Sequence, residues 1–192
     1  LLIFDEVITG FGRLGAPFAA EYFEVKPHIN TMAKAITNAA VPMGAVAASR
    51  EIYDTILANA QTPIELFHRS TSSGHPLACS AGLATLDTFR EERLFERAAE
   101  LAPYWQDAMH SLRNARHVID IRNLGLIGGI ELEPRAGAPT QRGLEMFRNC
   151  FDGGLLIRVT GDILPYSPPL IVEKAHIHQI VDTVRKKLQD IA

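Results

Sequence analysis

Asp5 and Lys34 are the residues of this chain whose types and setting point to chemistry. Asp5 closes the apolar run Leu1-Leu2-Ile3-Phe4, so its carboxylate stands at the exit of a predicted buried strand. Lys34 is a lone cation in Thr31-Met32-Ala33-Lys34-Ala35-Ile36-Thr37-Asn38, and Asn38 to Gly44 reads as a turn or loop. A lysine amine can hold an aldehyde as an imine, and a carboxylate can keep a ring nitrogen protonated. Those are the two needs of an imine-forming cofactor such as pyridoxal phosphate. By spacing alone, Lys34 reads equally as a solvated surface lysine. Glu6 would point to the opposite face of a continuing strand, so it does not receive the ring-nitrogen role.

The elements around these residues follow from pattern. Residues 7–15 form a glycine-punctuated loop, too irregular for a dinucleotide fingerprint. Ala16 to Phe23 reads as a short helix ended by Pro27, and Ile29 to Met32 leads into the lysine segment. Gly44 to Ala48 reads as a strand, and Ser49 as the cap of a following helix. After a break at Gln61-Thr62-Pro63, Ile64 to Phe67 is extended, and a hydroxyl-rich loop runs from His68 to Pro76. Leu77 to Arg90 reads as a well-buried helix, for which Ser73 suits the cap better than Thr71. His75 before Pro76 reads as architectural rather than as an acid or base.

A helix to about Asn114 carries Leu94, Ala98, Leu101, Trp105, Met109 and Leu112 at three- and four-residue steps, with Pro103 early in it. Beyond His117, strands are expected over 118–122, 126–132 and 155–159, and a helix over 141–152. Residues 161–169 read as an irregular loop, with Pro168-Pro169 excluding regular pairing. A last amphipathic helix spans 173–191. The fold class is α/β. Residues 1–95 form the end of an α/β domain and 96–192 a smaller α+β domain.

Composition excludes several functions. The net charge of −3 gives no basic field for nucleic acid. The 47% apolar content fills a core and argues against disorder. Cys79 and Cys150 show no paired metal spacing and read as core thiols, and the seven histidines form no ligand set. His176 and His178 lie two apart, off a shared helix face. No signal or membrane-length apolar run is visible, so the expectation is cytoplasmic, with no membrane and no metal. The chain opens inside what reads as a central strand, which leads us to expect a missing N-terminal part.

Asp5-Glu6-Val7-Ile8-Thr9-Gly10-Phe11-Gly12-Arg13, Met32 to Asn38 and Pro42-Met43-Gly44-Ala45-Val46 resemble the class III pyridoxal-phosphate aminotransferases. So do Thr71-Ser72-Ser73-Gly74-His75-Pro76 and Arg158-Val159-Thr160-Gly161-Asp162. The tail Ser167-Pro168-Pro169-Leu170-Ile171 is most similar to omega-amino acid:pyruvate, including beta-alanine:pyruvate, aminotransferases. The matches run in order along essentially the whole chain. Family members are longer, so the resemblance covers their C-terminal part.

The resemblance implies a fold type I transferase: the C-terminal part of the large pyridoxal-phosphate-binding domain (1–95) and the small C-terminal domain (96–192). It implies that Lys34 forms the internal Schiff base and carries the proton, as a neutral amine favoured by burial. Asp5 would pair with the pyridine nitrogen. Thr71 would donate to the cofactor phosphate across the interface of a homodimer or dimer-based tetramer. Arg158 would anchor a substrate carboxylate through its planar fork. The implied reaction is ping-pong transfer of nitrogen from an omega-amino acid or amine to pyruvate or a similar keto acid. Arg13 is a candidate for shaping the pocket or the dimer contact.

Two departures bear on substrate. Arg69, Ser70 and Ser72 stand where relatives carry glycine and aromatic residues, and Arg69 could add a phosphate contact. Ala39-Ala40 replaces a region where relatives have glycine, tightening the turn after Lys34. Alternatives are another class III enzyme, such as a glutamate-1-semialdehyde aminomutase, or a non-catalytic fragment that is inactive when isolated.

Overall fold

The structure is a computed structural model that describes residues 1–61 and 71–191. The expected extended piece Ile64 to Phe67 and the Arg69 contact lie outside the described residues. The chain divides into two compact units. One joins Leu1–Gly12 with Ala16–Phe95, and the other joins Arg13–Gly15 with Glu96–Ala192.

The first unit is built on a sheet of order β1-β2-β3, comprising β1 (Ile3–Asp5), β2 (Ile29–Met32) and β3 (Ala45–Ala48). β1 and β2 are parallel, with Asp5 opposite Thr31. A parallel pair needs a long crossover, and residues 6–28, with α1 (Ala19–Tyr22), supply it. The helix is shorter than expected mainly at its start, because Phe18 is extended and the helix begins only at Ala19, three residues later than Ala16. β3 returns antiparallel to β2. Ser49 caps α2 (Arg50–Ala58), accepting from the Ile52 N–H at 3.5 Å, as its hydroxyl predicts.

Four expectations about this unit change. Among the described residues the opening strand is exposed, Leu1 at 90% and Ile3 at 56%, because β1 pairs there on one side only and no described element covers it. Helix α3 (Pro76–Glu91) buries Ala78, Gly82, Thr85 and Phe89 on one face, while Leu77, Leu83 and Leu86 are exposed. Its N-cap is His75 rather than Ser73, since Pro76 fills the first helical position and ends the orphan N–H problem one residue earlier. Cys79, on the same helix, is half-buried rather than in the core.

In the second unit, α4 (Leu94–His110) keeps Pro103 within it and buries Ala98, Trp105 and Met109 completely. An antiparallel sheet of order β4-β5-β6 faces it, with β4 (Val118–Leu124), β5 (Ile127–Leu132) and β6 (Ile163–Tyr166). Gly128 on β5 leaves room for Trp105 and Met109, since a Cβ there would lie 3.0 Å from Met109 Cε. Helices α5 (Gln141–Asp152) and α6 (Lys174–Asp190) close the core, with Ile177, Val181, Val184, Leu188 and Ile191 as the buried stripe of the last segment.

Two expectations here also change. Residues 155–159 pair with no strand, and the third strand is β6, inside the stretch expected to be irregular. Pro165 is tolerated in β6 because β6 is the edge strand and needs no outward N–H.

Truncating Met109 to Ala should cost about 2–4 kcal/mol in urea unfolding, the usual range for emptying a closed core site. Burial pushes the Cys150 thiol up to about 11. It should therefore resist alkylation at about pH 8 and react only on unfolding, read by mass spectrometry of the labelled peptide.

Candidate active site

The register of β1 against β2 brings the two chemical residues to one edge. Both strands run in the same direction, so Asp5 at the end of β1 and Lys34, just past the end of β2, emerge at the same carboxyl edge. Ligands of open α/β sheets bind at that edge. Asp5 is exposed, and its Oδ1 accepts the Val7 N–H at 3.1 Å and the Thr31 hydroxyl at 3.5 Å.

Lys34 opens a 3₁₀ helix, Lys34–Thr37, with φ +50. A left-handed backbone at a non-glycine residue costs about 1–3 kcal/mol and persists only where its surroundings enforce it. Asn38 (φ +52) and Ala39 (φ +60) close the same turn, so Ala39 takes a conformation that glycine adopts more easily. Thr37 is buried and donates to Val41 O at 2.6 Å, fixing the turn. α3 packs against this turn at Gly82, where a Cβ would make ordinary contact with Ile36 O at 3.6 Å. The expected burial of Lys34 is not observed: its side chain is exposed, since the described residues of this unit leave that edge of the sheet uncovered.

Glu6 does a different job from its neighbour. It is fully buried and accepts the Ala19 and Ala20 N–H groups at 3.0 and 2.9 Å, with Thr9 donating to it as well. It therefore satisfies the start of α1. Alternation put it on the face away from Asp5, but no local pattern names its partners thirteen residues on.

A cleft of about 480 Å³ lies between Val41–Gly44, after the lysine turn, and Ser72–His75, before α3. It offers hydroxyls and the amino end of a 16-residue helix. Thr71 is exposed in the turn that leads into this cleft. Arg158 belongs to the other unit, where it is exposed on the extended segment 155–159. It lines an apolar cleft of about 830 Å³, together with Phe147, Leu156 and the Ser167–Pro169 segment.

Asp162, half of the Gly161-Asp162 pair, has a structural task. Its carboxylate accepts the Thr140 and Gly143 N–H groups at 2.7 and 2.9 Å and so caps α5. Gly143 permits that approach, because a Cβ would meet Gly161 O at 2.2 Å. Among the described residues, no His, Cys, Asp or Glu group could hold a metal ion. No described helix is long and apolar enough to cross a membrane.

Residues 1–188 match the family described as aminotransferase class-III. The chain is 68% identical over 191 residues to an omega-aminotransferase of Caulobacter vibrioides, covering all of this chain and 44% of that protein. It is 46% identical over 194 residues to a beta-alanine–pyruvate aminotransferase of Pseudomonas aeruginosa, covering all of this chain and 43% of that protein. A solved thermostable omega transaminase mutant from Pseudomonas jessenii superposes with TM-score 0.92 at 31% identity, over 99% of this chain and 44% of that one. The chain thus spans less than half the length of the proteins it matches.

The two adjacent carboxylates should separate cleanly by mutation. Glu6→Gln should lose about 1–2 kcal/mol of stability, because a buried charged acceptor of two helix-end N–H groups is replaced by a neutral one. Asp5→Asn, at an exposed position, should stay within about 0.5 kcal/mol of the parent. Urea melts of the cofactor-free protein measure both.

Proposed function

The chain belongs to the class III aminotransferases, with the type I fold of its solved transaminase neighbours, and on that premise we propose that it serves pyridoxal-phosphate-dependent transamination. The observation that carries this reading is the shared carboxyl edge, where a carboxylate ends β1 and a lysine in a strained backbone follows β2. The donor set fits the cofactor: an exposed carboxylate for a ring nitrogen, an exposed amine for an aldehyde, and hydroxyls at a helix start that would meet the phosphate held by a second copy.

Pyridoxal phosphate, when bound, supplies an aldehyde and an electron-withdrawing ring that let nitrogen pass between carbon skeletons. Asp5 would pair with the ring nitrogen and favour its protonated form. Lys34 Nζ would hold the aldehyde carbon and, as a free amine, would carry a proton to and from the substrate carbon. Thr71 would donate its hydroxyl to the phosphate held by a second copy of the chain. Leu77, Leu83 and Leu86, exposed on the helix after Thr71, suit burial against such a copy. Arg158 forks onto the carboxylate of the keto acid. In this reading, residues 1–95 are the end of the large domain and 96–192 the small domain.

The relatives named above are described by omega-amino and beta-alanine–pyruvate activity. We carry that over as the substrate class: an omega-amino acid or amine as donor, and pyruvate or a similar keto acid as acceptor. The intact protein, mixed with pyridoxal phosphate, should show a band near about 400–430 nm that Lys34→Ala abolishes. The band should fall on adding beta-alanine and return with pyruvate. An intact protein that never forms the band overturns the reading.

A further inference from the structure

The segment Pro168–Val172 is held from outside by two arginines. It lies between β6 and α6, belongs to no ladder or helix, and starts with two prolines that have no N–H. Its carbonyls still require donors. Arg13 donates to Pro168 O. Arg97, on α4, donates to Leu170 O at 3.3 Å, Ile171 O at 3.2 Å and Val172 O at 3.0 Å. Pro169 O takes the Val172 N–H at 2.9 Å. Every carbonyl from 168 to 172 is therefore satisfied, and guanidinium groups serve all but one.

Arg13 is itself tightly placed. Its carbonyl accepts the Leu126 N–H at 2.9 Å. Gly125, at φ +55, makes room for it, since a Cβ there would lie 2.5 Å from Arg13 O. Among the described residues, neither Arg13 nor Arg97 forms an ion pair with a carboxylate. Burial without such a partner lowers the pKa of Arg13 from the ordinary arginine value. For stability alone, a half-buried guanidinium whose partners are neutral carbonyls gains less than one paired with a carboxylate. It leaves positive charge behind the strap. That strap is one wall of the cleft that Arg158 lines, through Ser167, Pro168, Pro169, Ile171 and Val172.

We propose that Arg13 and Arg97 are positioning residues that hold the 168–172 wall against Arg158 and so set the preference for carboxylate-bearing substrates. The proposal rests on Arg158 being the carboxylate anchor. A fixed apolar wall excludes water and strengthens the guanidinium–carboxylate pair, and the two carbonyl-bound guanidiniums add an attractive field for an anion.

The test is calorimetric titration of the intact, cofactor-loaded protein with propionate, a carboxylate that has no nitrogen to exchange and no keto group. Arg13→Gln and Arg97→Gln should each weaken propionate by about fivefold or more, the loss of one charge-assisted contact network. The KM for pyruvate should rise in parallel, with kcat and the KM of a carboxylate-free amine within about twofold. Arg13→Lys should recover parent behaviour, because one ammonium serves the single Pro168 carbonyl. Arg97→Lys should not, because three carbonyls need the fork; these two variants also decide the matter if either Gln variant fails to fold. In an Arg158→Ala background, the clamp variants should have no further effect on propionate. Parent-like propionate binding in both Gln variants overturns the proposal, as does an equal loss for carboxylate and amine substrates. If Arg158→Ala alone leaves propionate binding unchanged, the anchor reading falls and takes this proposal with it, a result seen before either clamp residue is altered.

Discussion

The parallel, in-register pairing of β1 with β2 is the constraint on which the rest depends. It sets Asp5 opposite Thr31 and so fixes which edge of the sheet the lysine turn must leave from. Had β2 run the other way, Lys34 would emerge at the amino end of β1, a strand length from Asp5. Parallel pairing in turn demands a long crossover. Glu6 anchors that crossover by holding the start of α1 from the first residue after the strand.

Neighbouring carboxylates at one strand end therefore divide their work by direction. Asp5 stays exposed at the edge, while Glu6 turns into the unit and is consumed by backbone N–H groups. The same economy recurs in the second unit, where Asp162 caps α5 instead of facing Arg158's cleft. In both places the carboxylate nearest a functional motif in sequence is structural, because a helix start in a loop-rich region leaves N–H groups that a carboxylate satisfies well.

Elements with strong periodicity were legible from the sequence. The stripes of α4 and α6 agree with the structure because each buries a continuous apolar face, and the span of α5 agrees although its buried face includes Arg142 and Gly143 beside Met146 and Cys150. Short elements were legible in part: the strand read at Gly44 to Ala48 is β3, and those read over 118–122 and 126–132 are β4 and β5, but one pairing was missed. Residues 155–159 look like a strand, yet a strand exists only with a partner, and the partner choice fell to Ile163–Tyr166, which two prolines further on had masked. The buried reading of Leu1–Phe4 is not met among the described residues for a related reason: apolar composition states a preference for burial, not what covers it. At the candidate site, the edge shared by Asp5 and Lys34 follows from strand direction. The partners of Glu6, Asp162 and Arg97 are set by long-range packing that no local spacing encodes. For Arg97 the one available signal was indirect, since Pro168-Pro169 announces carbonyls that must find donors elsewhere.

The strain around Lys34 has a mechanical meaning. Left-handed backbone at Lys34, Asn38 and Ala39 brackets a single 3₁₀ turn, and each such residue resists relaxing its neighbours. The turn is held by the Thr37 hydroxyl on Val41 O and by the packing of α3 at Gly82. The role proposed for Lys34, holding a group and later moving a proton, would need a side chain that swings while its Cα stays fixed. A stiff, over-determined backbone beneath an exposed, flexible side chain meets both demands. An ordinary helical lysine would not, because fraying or sliding of its helix would move the amine and its attachment point together.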